Sequence, residues 1–502
     1  MPKRNLLWVA VIVAVAVVAI TLTRSTPPVI SESGEETFAG LARVHNLATR
    51  YYYDNVPPDA PLGAIRGYLQ ALDRYCIYVP PEKQDSLDRL INGQREGVGL
   101  HYVIDAGLVR VVGPMADSPS LQAGIQAGDV ILAIGDDRLL EPTREMVDDR
   151  LSGKADTKVT LRIERPDGSR ATVPLLRQVY NIETVTGLSR DSDGRWQYMV
   201  DPEYRIAYVR ISEFATLTSE SLDNVLRPLV RDGVEALVLD LRDNPGGPLL
   251  EAVGVADHFI ENGLIVMTRG MHSGDERHMA HRDRTYTGVR LAVLVNASTA
   301  SAPEVVAGAL KQHRRAVLVG TRSFGKDVVQ MPFDLGEGLG KITLTTARFY
   351  FEDPDEAEKT PATAPAKKPT GNLTATRPAE APATSPSDDE PSTAPATTRP
   401  AKVAGSTRPA DPSRLAEPVR AGRTPTGGIA PHVLVELDPE AQAELRLLRY
   451  RIEVMPPPAT TRPAEMQRAE ADFERLLAVD RQLSKAIDLL RTPQAIEAIL
   501  KD

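Results

Sequence analysis

The sequence predicts an α+β multidomain protein, and three observations carry that expectation. Between Tyr204 and Phe351 apolar strands alternate with helical segments, the pattern of a sheet with helices packed on it. Ahead of that stretch, from about Gly93 to Val179, short strand-like runs are bounded by Gly, Asp or Pro, with one helix (PTREMVDDRLSG) among them. Beyond it, residues 353–425 contain almost no large apolar residue and cannot bury enough surface to fold. The 502 residues leave room for several cores, and many of the 40 prolines fall in that last stretch. A net charge of −9 gives no nucleic-acid footprint.

Taken in order, Lys3 and Arg4 precede an uncharged apolar run from Leu6 to Leu22. Seventeen residues at about 1.5 Å each come near the lower limit for crossing a hydrocarbon core. No convincing small-x-small cleavage site follows, so the run reads as an uncleaved signal anchor, with a cleaved signal peptide as the alternative, and residues 25–35 as a tether. The positive flank stays inside, which places the rest of the chain in the periplasm or another extracytoplasmic space, held at the inner membrane. Residues 36–92 show apolar positions recurring at three and four, a small helical module punctuated by prolines. The single cysteine, Cys76, falls in LQALDRYCIYV, read as helical, and is expected to be a buried inert thiol. Residues 93–180 form the short-strand domain and 181–352 the alternating core. The core returns at 426–456 through GGIAPHVLVEL, and 457–502 close the chain with amphipathic helices.

Three segments of the core carry chemistry. In LVLDLRDNPGGPLLEAV a buried strand ends in a turn at Gly246 and Gly247, whose lack of side chains lets backbone amides approach a ligand; alone, this is equally a plain tight turn. In LAVLVNASTASAPEVVAGALKQH, Ser301 stands at a helix N-terminus, where dipole and free amides favour developing negative charge. It also satisfies the simpler reading of an N-cap completed by Glu304 as a capping box. In RAVLVGTRSFGKDVVQMPF, Lys326 follows a strand and a tight turn among apolar residues. Such a setting lowers a lysine's pKa toward the neutral form a general base requires, while a lone lysine is otherwise a solvated charge. His272, His278 and His281 cluster in a polar stretch read as a loop, with a metal site as the lesser alternative, and His313 as a cap on the helix that Ser301 begins.

Together these segments resemble the carboxyl-terminal processing, or tail-specific, peptidases, serine peptidases that use a Ser–Lys dyad. The family's strand–NxxSASxxE–helix segment, its FGK segment 25 residues on, and its LDLRxNPGG segment all have counterparts here, the last at Leu239 to Gly247. The resemblance implies Ser301 as nucleophile, Lys326 as general base and Gln330 as the residue that positions the lysine. It also implies an oxyanion hole from the N–H of Ala302 and one of the Gly246–Gly247 turn, and a crotonase-like core of sheet and helix layers. EGVGL and DSPSLQAGIQAGDVILAIGD look like the PDZ domain these enzymes carry, with Gly97, Val98, Gly99 and Leu100 as the loop that holds a peptide carboxylate. Pro303, Pro248 and Cys76 depart from the family pattern, and His432 stands where an Asp is usual, after an insertion of about seventy residues.

The implied activity is endopeptidase cleavage, through an acyl-enzyme and without metal or cofactor, of proteins whose apolar or unstructured C-termini dock on the PDZ domain. The resemblance permits adaptor proteins and homo-oligomers. The reading from another class is a non-catalytic PDZ scaffold.

Overall fold

The computed structural model describes residues 32–352, except 192, 284 and 337, together with 427–453 and 474–501. The apolar run Leu6–Leu22 and the low-complexity stretch lie outside the described residues, as does part of the C-terminal segment. Among the described residues no helix is long and apolar enough to cross a membrane.

The chain divides into two compact units. Of the described residues, the first holds 32–87 and also takes in Gln330–Thr346, which were expected to belong with the core. Its helices are Glu32–Tyr51 and Ala60–Leu72. The helix expected to run through Cys76 stops at Leu72, and Ile77–Val79 form a strand antiparallel to residues 341–343. Asp73 explains the stop, since its carboxylate accepts the N–H of Tyr75 at 2.7 Å and of Cys76 at 2.9 Å, an Asx turn that competes with helix. Cys76 is buried, in that turn rather than in a helix.

The two largest sheets of the second unit are of different kinds. An antiparallel sheet runs in the order Leu100–Asp105, Leu108–Pro114, Val130–Ile134, Lys158–Glu164, Arg170–Leu176. Helix Arg144–Leu151 buries Val147 and Leu151 in its core. Strand Leu100–Asp105 is the edge of this sheet. Antiparallel pairing of Gln94–Gly97 with Gln178–Asn181 closes the segment at both ends.

The other sheet is mostly parallel, in the order Val185–Thr186, Ile206–Ile211, Ala236–Asp240, Arg290–Val295, Val317–Gly320, Val433–Leu434. Its strands read as unbroken apolar runs because both faces are covered. Ala207, Val209, Leu237, Leu239, Leu291 and Val293 point to one face, under helices Thr218–Arg231, Leu249–Asp257 and Ala302–Gln312. The alternate residues Ile206, Tyr208, Ala236, Val238, Ala292 and Leu294 point to the other, where Leu483, Ile487 and Leu490 of helix Arg481–Arg491 pack. The polar stretch around His278 is not wholly loop: Gly274–Met279 pairs antiparallel with Leu264–Gly270.

Candidate active site

Three turns at the carboxyl ends of the parallel strands converge. In the turn after Arg290–Val295, Ser301 has φ 69° and ψ −117°, a conformation a side-chain-bearing residue adopts only when its surroundings impose it. Helix Ala302–Gln312 starts at the next residue, so the N–H of Ala302 is one of those no helical carbonyl can reach. The turn after Ala236–Asp240 packs against it. Thr299 donates its hydroxyl to the Leu241 carbonyl at 2.9 Å, and the N–H of Ala300 goes to the Asn244 carbonyl at 3.0 Å. A Cβ added to Gly246 would stand 2.9 Å from the Ser301 Cβ and 3.4 Å from its Oγ, so the absence of a side chain there makes room for the serine.

The two glycines are not equivalent. The Gly246 N–H donates to Asn244 Oδ1 at 2.9 Å and is spent inside the turn, which corrects the expectation that either amide could face a ligand. The Gly247 N–H has no acceptor among the described residues, and a Cβ at that position would fall 1.9 Å from the Phe214 carbonyl oxygen.

The third turn, after Val317–Gly320, carries Lys326, and Glu304 ties it to the serine. Only 2% exposed, Glu304 accepts four bonds. Its Oε1 takes the Ser323 hydroxyl at 2.6 Å and the Gly325 N–H at 2.7 Å; its Oε2 takes the N–H of Ser301 at 2.8 Å and of Lys326 at 2.9 Å. The backbone nitrogens of Ser301 and Lys326 therefore lie no farther apart than those two bonds laid end to end, although the residues are 25 positions apart in sequence. The Phe324 N–H adds a bond to the Thr299 carbonyl at 3.0 Å. The capping box does form. It coexists with the functional reading, because the glutamate that completes it also anchors the lysine turn. Motif spacing showed Glu304 only as a cap.

Gln330 lies in the other compact unit, where its side-chain amide donates to the Tyr75 carbonyl. The segment that returns after the insertion closes on the lysine turn: the Ile429 N–H donates to the Ser323 hydroxyl at 2.6 Å, and the Ser323 N–H to the Ile429 carbonyl at 3.1 Å. His432, in the place of the usual Asp, accepts the Leu318 N–H on Nδ1 at 2.9 Å, an acceptor role a carboxylate also fills. Burial, then the charge of Lys311, holds its imidazole below its ordinary pKa.

Beneath the Gly-Gly turn lies a charged cluster that the sequence reading missed. Asp240, Arg242 and Asp480 are each at most 1% exposed. Arg242 pairs with both carboxylates at 2.6 and 2.7 Å, and Arg449 reaches Asp240 at 2.9 Å and Asp243 at 3.1 Å. Burial alone would push the Asp240 carboxyl up, but the guanidiniums of Arg242 and Arg449 hold it far below the usual range. Burial, and then the Asp240 charge, drive the Tyr208 phenol well above its ordinary value.

In the antiparallel sheet, the turn Gly97–Leu100 buries Val98 and Leu100 in the core. The Val98 carbonyl accepts from Ser120 at 3.0 Å and the Gly99 carbonyl from Met115 at 3.1 Å, while the N–H groups of Val98 and Gly99 have no acceptor among the described residues. The Tyr102 hydroxyl donates to Asp148 at 2.6 Å, linking the edge strand to helix Arg144–Leu151.

Residues 205–365 match peptidase family S41, and residues 110–165 match the PDZ domain. A carboxy-terminal-processing protease of Bartonella bacilliformis is 33% identical over 332 residues, covering 64% of this chain and 73% of that protein. The carboxy-terminal processing protease CtpA of Bacillus subtilis is 28% identical, covering 70% and 74%. A solved structure, the photosystem II D1 C-terminal processing protease, is 29% identical over 61% of this chain and 81% of its own, with a TM-score of 0.37. The two domain matches and the curated relatives define a serine-type peptidase that carries a PDZ domain. The chain belongs to peptidase family S41, with the carboxy-terminal-processing proteases.

Proposed function

We propose that the chain cleaves proteins near their C-termini with a Ser301–Lys326 dyad. The observation that carries this reading is the shared Glu304 oxygen, which brings the backbones of both residues to one place. Neutral Lys326 takes the hydroxyl proton as Ser301 Oγ attacks the scissile carbonyl, and the tetrahedral oxyanion accepts the N–H groups of Gly247 and Ala302. Collapse breaks the C–N bond as Lys326 gives the proton to the leaving amine of the C-terminal fragment, and the lysine, neutral again, deprotonates the water that hydrolyses the acyl-enzyme. The strain at Ser301 supports the nucleophile's role, since strained backbone collects where geometry is functional.

The substrate's C-terminus adds as a strand to the edge Leu100–Asp105, its carboxylate on the N–H groups of Val98 and Gly99. The run Leu6–Leu22 anchors the enzyme at the inner membrane with its peptidase domain in the periplasm or extracytoplasmic space, where adaptors or further copies of the chain can join it.

The test is cleavage of an unfolded protein ending in apolar residues. Ser301→Ala and Lys326→Ala should each lower kcat/KM by at least about 10³-fold. Amidation of the substrate C-terminus should raise KM and leave kcat largely intact. Full activity of Lys326→Ala refutes the dyad; binding without cleavage by the unmodified protein returns the scaffold reading.

A further inference from the structure

We infer that Asp480, with Gln482 beside it, is a positioning residue for the oxyanion turn, acting through Arg242. The inference rests on the dyad reading only for the turn's role; the geometry stands by itself. Arg242 is two residues ahead of Asn244, whose side chain fixes the turn by donating to the Ile211 carbonyl at 2.8 Å and accepting the Gly246 N–H at 2.9 Å.

All five guanidinium donors of Arg242 are used. Nε bonds Asp240 Oδ1 at 2.9 Å, and Nη2 bonds Asp240 Oδ2 at 2.6 Å and Asp480 Oδ2 at 2.7 Å. Nη1 bonds Asp480 Oδ1 at 2.7 Å and Gln482 Oε1 at 2.9 Å. Asp240 alone could take only one edge of this planar fork. Asp480 and Gln482 take the other, and they come from a segment outside the stretch that matches the peptidase family. Gln482 in turn donates to the Val435 carbonyl at 2.7 Å, which fixes it to the residue that follows strand Val433–Leu434.

Without the Asp480 charge, Asp240 alone must offset the buried guanidiniums of Arg242 and Arg449, and Arg242 must shift to recover acceptors for its outer edge. The backbone that would move with it leads directly into Gly246 and Gly247. Misplacement of an oxyanion donor weakens transition-state binding while leaving substrate affinity nearly untouched.

Asp480→Asn in the full chain tests this. Asparagine caps a helix as well as aspartate does, so the bond from the Leu483 N–H to position 480 survives, and the charge is what changes. Expected are a fall in kcat of roughly 10- to 100-fold, KM within about threefold, and a matching fall in the rate at which a fluorophosphonate labels Ser301. Leu483→Ala, fully buried in the same helix, is the reference: it should lower Tm by opening a cavity yet keep kcat within about twofold. Gln482→Met, which removes an acceptor of Arg242 and the bond to the Val435 carbonyl but no charge, guards against misfolding of the first variant and should lower kcat several-fold at unchanged KM. Unchanged kcat in Asp480→Asn or Gln482→Met overturns the inference, as does a loss in Leu483→Ala that matches Asp480→Asn at equal Tm. If Ser301→Ala still cleaves, the dyad reading fails; if Ser301→Ala is inactive while Asp480→Asn is fully active, only the positioning role fails.

Discussion

Glu304 and Asp240 are both buried carboxylates beneath neighbouring turns of one site, yet they are satisfied in opposite ways. Glu304 takes four bonds from three backbone N–H groups and one hydroxyl. Asp240 takes cations, Arg242 and Arg449, together with the Tyr208 hydroxyl. The first arrangement fixes backbone, since each amide it holds lies in a turn that carries a proposed catalytic group. The second fixes segments, since its charges come from the core strand and from helices beyond the insertion. The local geometry of a site and its long-range support thus use different chemistry, and each can be broken separately.

The largest effect is expected at the first centre. Glu304→Gln keeps the size but turns an acceptor oxygen into an amide that faces N–H or hydroxyl donors. We expect kcat/KM to fall by about 10²–10³-fold and the unfolding free energy by about 2–4 kcal/mol, measured by peptide cleavage and denaturant titration. Gly246→Ala should come next, at roughly 10²-fold in kcat. Its Cβ would press on the Ser301 Cβ and the Ala300 carbonyl, and φ 116° disfavours any side chain. An alanine there with full activity would break the claim that this turn braces the serine.

The second centre should announce itself through pH. With Asp240 held well below the usual carboxylate range, its stabilisation is complete above about pH 4, where the unfolded group is ionised, and is lost as pH falls toward and through the folded value. Urea titrations between pH 6 and 2 should show that acid limb, and Asp240→Asn should flatten it while lowering stability at pH 6. The smallest effect belongs to His432→Asp. The imidazole's lowered pKa gives a contribution complete above about pH 6.5 and lost as pH falls. The variant should stay within about 1 kcal/mol of the parent at pH 7, because the Leu318 N–H keeps an acceptor, and should lose that weak dependence.

Much of the site was legible because its parts are close in sequence or bound to a local pattern. Gly246, Gly247, Ser301 and Lys326 sit where strand ends and turn residues put them, and the structure joins their turns. Ser301's strained backbone left no trace in residue type, and Glu304's second role was hidden behind its first. The helix expected through Cys76 failed because Asp73 caps it and Ile77–Val79 find a partner more than 260 positions away. A short apolar run has no period long enough to tell strand from helix.

The sequence by itself determined the two-sided apolar strands, the alternation with helices, the PDZ-like turns and the spacing of Ser301 and Lys326, all of which are periodicities or motifs within a few tens of residues. Only the tertiary structure decided that the C-terminal helices cover the second face of the parallel sheet, and that Asp480 meets Arg242 across 238 positions. Pairing over that distance depends on where packed surfaces bring the chain, and charge pairs between remote segments leave no repeating signal in the residues that form them.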